Sequence, residues 1–211
     1  MTIDRTTRWS LRMPRRTRRL AQLVLGLVAY ACSMALMLRS SLGAMPWDVL
    51  HQGLALHTGL SIGTTTVIVA VVVLLAWIPL HERPGIGTVA NVVVIAVSVD
   101  LWLALIPELD GWTLRIACAV TGIVLNAAAT AAYVGVGLGP GPRDGLMTGL
   151  SQRFGVSVRW ARTAIEVTVV LSGWLLGGTF GPITIAYALA VGPLVQLFLP
   201  WCSVRTGPAE R

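Results

Sequence analysis

The chain has 211 residues, of which 55% are hydrophobic and only 12% are charged. Soluble domains carry about 25% charged residues, so this composition excludes an ordinary soluble fold. The net charge is +7 and every basic residue is an arginine. Seven of these arginines precede the first apolar run, which argues against a nucleic-acid partner and for a tail beside anionic lipid headgroups.

Apolar runs long enough to cross a bilayer follow this tail, and two shorter segments lie between them. We predict an all-α polytopic membrane protein with six transmembrane helices. The predicted parts, in chain order, are a basic tail 1–19, spans 20–38, 62–80 and 86–106 with a short helix 46–57, a linker 107–112, spans 113–138, 160–176 and 183–199 with a short helix 142–154, and a tail 204–211.

The second half of the chain repeats the first half 96 residues later. Residues 42–61 and 138–157 share nine identities in 20 aligned positions, including the Pro-x-Asp elements at Asp48 and Asp144. Each repeat (20–106 and 113–203) would contain three spans. Because three is odd, the second copy enters the membrane from the opposite side, which predicts two inverted-topology repeats. Each short helix would be either re-entrant or interfacial.

The arginines also predict the orientation. With the basic tail in the cytoplasm, fourteen arginines lie on or near that side, and only Arg39 and Arg115 lie outside. This asymmetry follows the positive-inside rule and places both termini in the cytoplasm, with the linker 107–112 outside.

Asp48 and Asp144 occupy equivalent positions, each two residues after a proline at a predicted helix start. Two interpretations remain open. A carboxylate there complements the helix dipole and caps free N–H groups. Alternatively, the paired acids gate two opposite vestibules or bind an ion or cationic group.

Further candidates lie inside the predicted spans. An ionisable group in a span is a functional candidate, and Asp100 in the third span is one, with Gln196 as its repeat partner. Arg162 and Glu166 are spaced for an i,i+4 ion pair, which either neutralises the start of the fifth span or holds an anion site. Asn126 in the fourth span is expected to make hydrogen bonds between helices.

No enzymatic pattern is present. The three histidines lack metal-ligand spacing, no serine lies in a nucleophile elbow, and the sequence predicts no metal, no cofactor and no catalytic residue. The three cysteines are scattered and predict no disulfide framework. Small-residue stretches such as 127–132 would allow a homodimer.

Four motifs in this chain resemble the YitT/YczE-like family of bacterial integral membrane proteins. They are Pro46-Trp47-Asp48-Val49-Leu50, Gly139-Pro140-Gly141-Pro142-Arg143-Asp144-Gly145-Leu146, Arg162-Thr163-x-x-Glu166 and Gly192-Pro193-Leu194-Val195-Gln196. The resemblance implies a small multi-pass protein of the bacterial cytoplasmic membrane and no agreed activity.

Two functions are compatible with these observations. A secondary transporter of a small solute or ion explains the duplication, the mirrored Pro-x-Asp elements and the acids within the spans. A non-transporting accessory or scaffold for another enzyme or complex would instead use the arginine-rich cytoplasmic face for docking. Replacing Asp100 would impair a transporter, whereas removing the basic tail would impair an accessory.

Overall fold

The computed structural model describes residues 7–203, with side chains from Thr17 onward, and these residues form eight α-helices and no strand. The helices are α1 (Thr7–Ser40), α2 (Pro46–Thr58), α3 (Ile62–Leu80), α4 (Ile86–Leu105), α5 (Trp112–Val134), α6 (Pro142–Phe154), α7 (Val158–Leu175) and α8 (Pro182–Cys202). Residues 1–6 of the predicted basic tail and the predicted tail 204–211 lie outside the described residues.

Five of the described helices are long and apolar enough to cross a membrane: α1 from Thr17, α3, α4, α5 and α8. Helix α7 is not among them, because its 18 residues include Arg159, Arg162 and Glu166. The predicted number of six spans is therefore one more than length and composition support. The fold is nevertheless all-helical and belongs to a membrane protein, as predicted.

The two short helices begin and end in the same way. Each has proline in its first turn. Proline lacks a backbone N–H, which costs nothing there because N–H groups of the first turn have no acceptor within the helix. Each helix ends at a glycine with positive φ. These glycines are Gly59 (φ 70°) and Gly155 (φ 67°), in the left-handed conformation that glycine adopts without strain. The helices that follow, α3 and α7, are capped by Ser61 and Ser157, whose side chains accept from Thr64 N and Trp160 N.

Backbone contacts join the two halves of the chain reciprocally. Gly87 N donates to Leu138 O (2.8 Å), and Ile183 N donates to Leu42 O (3.3 Å). Both donors and both acceptors are 96 residues apart, so the same hydrogen bond is made twice. The short helices follow the same rule, since α2 packs mainly on α7 and α6 packs mainly on α3.

The buried apolar residues form two clusters. One joins α1, α4, α5 and α8 and includes Leu27, Met34 and Val99. The other joins α2, α3 and α7 around Trp77. Helices α1 and α5 make the most extensive contact, and Ala127, Ala129 and Ala131 are buried in the bundle. The stretch 127–132 is therefore not an open dimerisation face, because its small residues mainly serve packing within the chain.

The two helix pairs that follow the short helices differ in packing. Helices α3 and α4 lie against each other, whereas α7 and α8 make almost no contact despite their short connection. Helix α8 is correspondingly little buried within the chain. This is the main departure of the structure from symmetry between the halves.

Close helix packing predicts a strong effect of adding one methyl group at Gly173. A Cβ there would clash with Leu50 N and Val49 C, which are backbone atoms of α2. We expect Gly173→Ala to destabilise the protein by about 1–3 kcal/mol, because α2 and α7 would have to separate. Gly192→Ala is the matched control, since a Cβ at this position in α8 meets nothing within 4 Å. Thermal unfolding of both purified variants tests this, and equal melting temperatures would contradict it.

Candidate functional site: a polar cavity between the two clusters

A cavity of about 710 Å³ lies between the two apolar clusters. This volume is in the range of small-molecule sites. Its polar lining is unusual for the interior of a membrane protein, because it contains several ionisable groups. The polar and aromatic residues that line it are Tyr30, Trp47, His51, Thr66, Asn91, Thr130, Tyr133, Arg143, Asp144, Arg162, Glu166, Tyr187 and Gln196.

Arg143 joins the two short helices at one side of the cavity. Its guanidinium carbon lies 4.9 Å from the centroid of the Trp47 ring, and its Nη2 lies 3.9 Å from Asp48 Oδ1. Nη1 donates a long hydrogen bond of 3.4 Å to Tyr30 OH. Trp47 and Arg143 are repeat equivalents, so the two copies meet through a cation–π contact. The long distances leave much of the donor capacity of Arg143 unused.

Asp48 lies behind this contact and is completely buried. Its Oδ1 is 3.1 Å from His51 Nδ1, and Thr66 Oγ1 is 3.3 Å from the same nitrogen. Burial lowers the pKa of His51, so the ring is neutral at pH 7 and the hydrogen bond with Asp48 favours the proton on Nδ1. Among the described residues, Asp48 Oδ2 and Trp47 Nε1 are buried without a hydrogen-bond partner.

Asp144 lies on the cavity surface and keeps accessible area. Tyr133 OH donates to its Oδ2 at 3.3 Å. Removal from bulk water raises the pKa of Asp144, although Arg143, the Tyr133 hydroxyl and Arg162 each oppose this rise. Asp144 thus lines the cavity and Asp48 lies buried directly behind its wall, next to Arg143, although the sequence suggested opposite vestibules.

Asn126 is buried in a hydrogen-bond network that links three helices. Its Nδ2 donates to Ser33 Oγ at 2.9 Å, and Tyr187 OH donates to its Oδ1 at 2.8 Å. This arrangement confirms the expected hydrogen bonds between helices. It also fixes the Tyr187 ring at the cavity wall.

Arg162 and Glu166 form the predicted pair, with Nε to Oε1 at 2.8 Å. Both line the cavity, and the side chains are 45% and 22% exposed. Gln196 on α8 also lines the cavity and is exposed. The cavity therefore reaches exposed residues of α7 and α8, the two helices that are held apart.

Asp100 does not line the cavity. Its carboxylate accepts from Ser61 Oγ at 2.6 Å and from Gly63 N at 2.8 Å, so it binds the first turn of α3. A Cβ at Gly63 would clash with Ala96 O, which shows how closely α3 approaches α4 here. Asp100 thus holds together the helix pair whose equivalent in the other repeat is open.

Several cavity residues were not predicted as site residues from the sequence, notably Arg143, His51, Tyr30 and Tyr187, and Tyr133 was expected only to make hydrogen bonds between helices. From the sequence, Arg143 was interpreted as a topology signal and as part of an arginine-rich docking face, and His51 was considered only as a metal ligand and found without partners. One feature of the sequence could have indicated a site role for Arg143. It directly precedes Asp144 and aligns with Trp47 of the other repeat. Nothing in the sequence indicated that these equivalent residues would meet.

An all-helical bundle with five apolar spans and an internal polar cavity defines a multi-pass membrane protein. A family model covers residues 17–200 and is described as a family of unknown function (DUF6198), and the chain belongs to this family. An uncharacterized protein of Haemophilus influenzae is 40% identical over 164 residues, which cover 78% of this chain and 75% of that protein.

The uncharacterized membrane protein YczE of Bacillus subtilis is 34% identical over 178 residues, covering 83% of this chain and 82% of that protein. The uncharacterized protein YyaS of the same organism is 25% identical over 183 residues, covering 83% of this chain and 90% of that protein. The predicted resemblance to YczE-like membrane proteins is thereby confirmed. No solved structure matches the chain.

Proposed function

We propose that this protein is a secondary transporter of a small solute or ion that works by alternating access. In this proposal α1, α3 and α4 form one unit and α5, α7 and α8 an inverted second unit, with α2 and α6 as short re-entrant helices. The reciprocal hydrogen bonds of Gly87 with Leu138 and of Ile183 with Leu42 support this arrangement.

The observation that carries the proposal is the difference between the two equivalent helix pairs. Helices α3 and α4 are closed against each other by Asp100, while α7 and α8 are apart around the cavity. Inverted repeats that adopt two unlike conformations are the structural basis of alternating access. A scaffold with no transport cycle has no need of this asymmetry.

The predicted orientation of the chain indicates to which side of the membrane the cavity opens. If both termini are cytoplasmic, as the arginine distribution indicates, α7 begins and α8 ends at the cytoplasmic side. The cavity then opens to the cytoplasm, and the Asp100 contact closes the extracytoplasmic side. In the opposite state α7 and α8 would close around Gln196, and α3 would leave α4.

Counting α7 as a sixth span is part of this proposal. Its charges lie in its first half, and the Arg162–Glu166 pair reduces the free energy of placing them near the membrane interface. The protein would act in the lipid bilayer, without a nucleic-acid partner and without enzymatic chemistry. A homodimer remains compatible with the exposed apolar surface of α8.

Cysteine accessibility from each side of the membrane tests the proposal. We would replace Cys32, Cys118 and Cys202 with serine and introduce Met147→Cys on the cavity wall. A membrane-impermeant maleimide should label this cysteine faster from the cytoplasmic side. Equal protection from both sides, while a loop cysteine reacts, would exclude an open cavity and favour the accessory role.

Gln196→Asp should shift this accessibility towards the other side. Gln196 is the repeat equivalent of Asp100, and Ser157, which caps α7, is the equivalent of Ser61. A carboxylate at position 196 could bind the first turn of α7 and the Arg159 guanidinium. Such charged hydrogen bonds contribute about 1.5–3 kcal/mol each, so cytoplasmic labelling should fall by about tenfold or more.

Gln196→Asn is the matched control for this prediction, because it has the size of aspartate without its charge. It should label at nearly the rate of the unsubstituted background. If Gln196→Asp and Gln196→Asn label alike, a carboxylate at this position does not close α7 on α8, and the predicted symmetry of the two gates is wrong.

A further inference from the structure

The charged groups in and directly behind the cavity do not balance. Among the described residues, three carboxylates (Asp48, Asp144 and Glu166) face two guanidinium groups (Arg143 and Arg162). The buried His51 adds no positive charge at pH 7, because burial lowers its pKa. With all three carboxylates ionised, the site is one positive charge short. A carboxylate without a cationic partner on a cavity wall favours a proton or a bound cation as its counter-charge.

The contacts identify Asp144 as the carboxylate without a cation. Glu166 has Arg162 at 2.8 Å, and Asp48 has Arg143 at 3.9 Å together with His51 at 3.1 Å. Asp144 interacts with the hydroxyl of Tyr133 and the backbone of Gly141, both uncharged, and no described guanidinium lies within ion-pair distance of it. Its carboxylate nevertheless lies on the cavity wall, where a ligand can reach it.

Aromatic rings surround the same space. Tyr30 and Tyr133 meet edge to face with their centroids 6.0 Å apart, and Tyr187 lines the cavity as well. Arg143 already occupies the Trp47 ring, which shows that this wall accepts a planar cation. Carboxylate and aromatic faces together form a favourable site for an ammonium group.

We propose that Asp144 binds either a proton or the ammonium group of a small organic cation, so that the protein exchanges one for the other. This proposal rests on the proposed transport function and names its cargo class and coupling ion. When the site was protonated before, cation binding displaces the carboxyl proton: the O–H bond breaks, its electron pair stays on the carboxylate, the proton passes to water, and the ammonium group forms an ion pair with the carboxylate. Because one carboxylate serves both, the two ligands cannot occupy it together.

The pH dependence follows from the raised pKa of Asp144. Below this pKa the proton occupies the carboxyl and weakens cation binding; above it the site is ionised and binding reaches its maximum. The titratable and charged groups that face Asp144 or line the same site are Tyr30 on α1, Asp48 and His51 on α2, Tyr133 on α5, Arg143 on α6, Arg162 and Glu166 on α7, and Tyr187 on α8.

Calorimetry on the full chain in lipid nanodiscs tests this with three aromatic probes of similar size. Benzylammonium is a cation, benzyl alcohol is neutral and benzoate is an anion. We expect benzylammonium to bind at least about tenfold more tightly than the other two, as a charged contact of a few kcal/mol implies. Two buffers of different ionisation enthalpy should reveal release of up to about one proton per cation.

Asp144→Asn should lose both benzylammonium binding and proton release. Asp110→Asn, which removes a carboxylate from the exposed linker, should lose neither. The proposal is overturned if benzoate binds best, if no cation binds, or if Asp144→Asn binds benzylammonium with unchanged affinity.

This measurement does not depend on transport, so the two proposals can fail separately. Proton-linked binding of the cation with a cavity that stays open to one side only would support the site and reject alternating access. Cysteine labelling that shifts between sides without any cation binding would support the transporter and reject this cargo class.

Discussion

Asp100→Ala is expected to open the cavity to the extracytoplasmic side. Labelling of Met147→Cys from that side should rise by about tenfold or more, because the variant loses two charge-assisted hydrogen bonds of about 1.5–3 kcal/mol each. These bonds, from Ser61 Oγ and Gly63 N, connect the end of α4 to the start of α3. A state that is rarely populated in the unsubstituted protein would then become common.

The matched control for this prediction is Leu101→Ala. Leu101 is the next residue in α4 and is 57% exposed, so truncating it removes no contact with α3 that resembles the Asp100 bonds. Its labelling should stay close to that of the background. Asp100→Asn should lie between the two, since an amide oxygen can still accept but carries no charge.

Unchanged extracytoplasmic labelling in Asp100→Ala would count against a gate between α3 and α4. Asp100 would then be only a cap for α3, and its place within a span would have a purely structural reason. Loss of folded protein is a separate outcome. Circular dichroism and gel filtration of the purified variant distinguish it from a change in conformation.

The sequence predicted the helices well because their signals are local. Pro46 and Pro142 mark helix starts, Gly59 and Gly155 mark helix ends, and the structure begins and ends α2 and α6 there within one residue of the prediction. The end of α5 was predicted less well. The apolar run continues to Leu138, whereas the helix ends at Val134, because the glycines that follow do not favour helix continuation.

The site was harder to predict because it depends on how the two repeats meet. The repeat showed that Asp48 and Asp144 are equivalent, and that equivalence suggested two separate vestibules. In the structure α2 and α6 lie close enough for Arg143 to reach both Trp47 and Asp48. No sequence pattern within either repeat predicts such a contact between the repeats, because each Pro-x-Asp motif specifies only the start of its own helix.

Asp100 shows the same limitation in another form. Its place in an apolar span indicated a functional acid. No local pattern indicated that its carboxylate would contact Ser61 and Gly63, which are 39 and 37 residues away in the sequence. The role of Gln196 becomes clear only by comparison with Asp100, its equivalent in the other repeat. It lines the open gap at the position where the other repeat is closed.

Arg143→Met is expected to destabilise the protein by about 3–5 kcal/mol, as breaking a buried ion pair does elsewhere. Asp48 is completely buried, and Arg143 is its only partner with a permanent positive charge among the described residues. Methionine keeps much of the side-chain volume against the Trp47 ring, so the main change is the loss of charge. The carboxylate of Asp48 would then be buried without compensation.

A double-mutant cycle with Asp48→Asn isolates this effect. Asparagine removes the negative charge and keeps an oxygen that can accept from His51. The double variant Arg143→Met/Asp48→Asn should recover at least half of the stability that Arg143→Met loses, because no unpaired charge remains. Unfolding of the four purified proteins in the same detergent gives the coupling free energy directly.

The outcome of this cycle also decides how the two repeats are held together. A large coupling means that the charge pair between α2 and α6 stabilises the junction of the repeats. The proposed transport cycle would then have to preserve or exchange this pair. Additive effects would mean that Arg143 acts mainly through its contact with Trp47. In that case Arg143→Lys, which keeps the charge but loses the planar stacking surface, should destabilise almost as strongly as Arg143→Met.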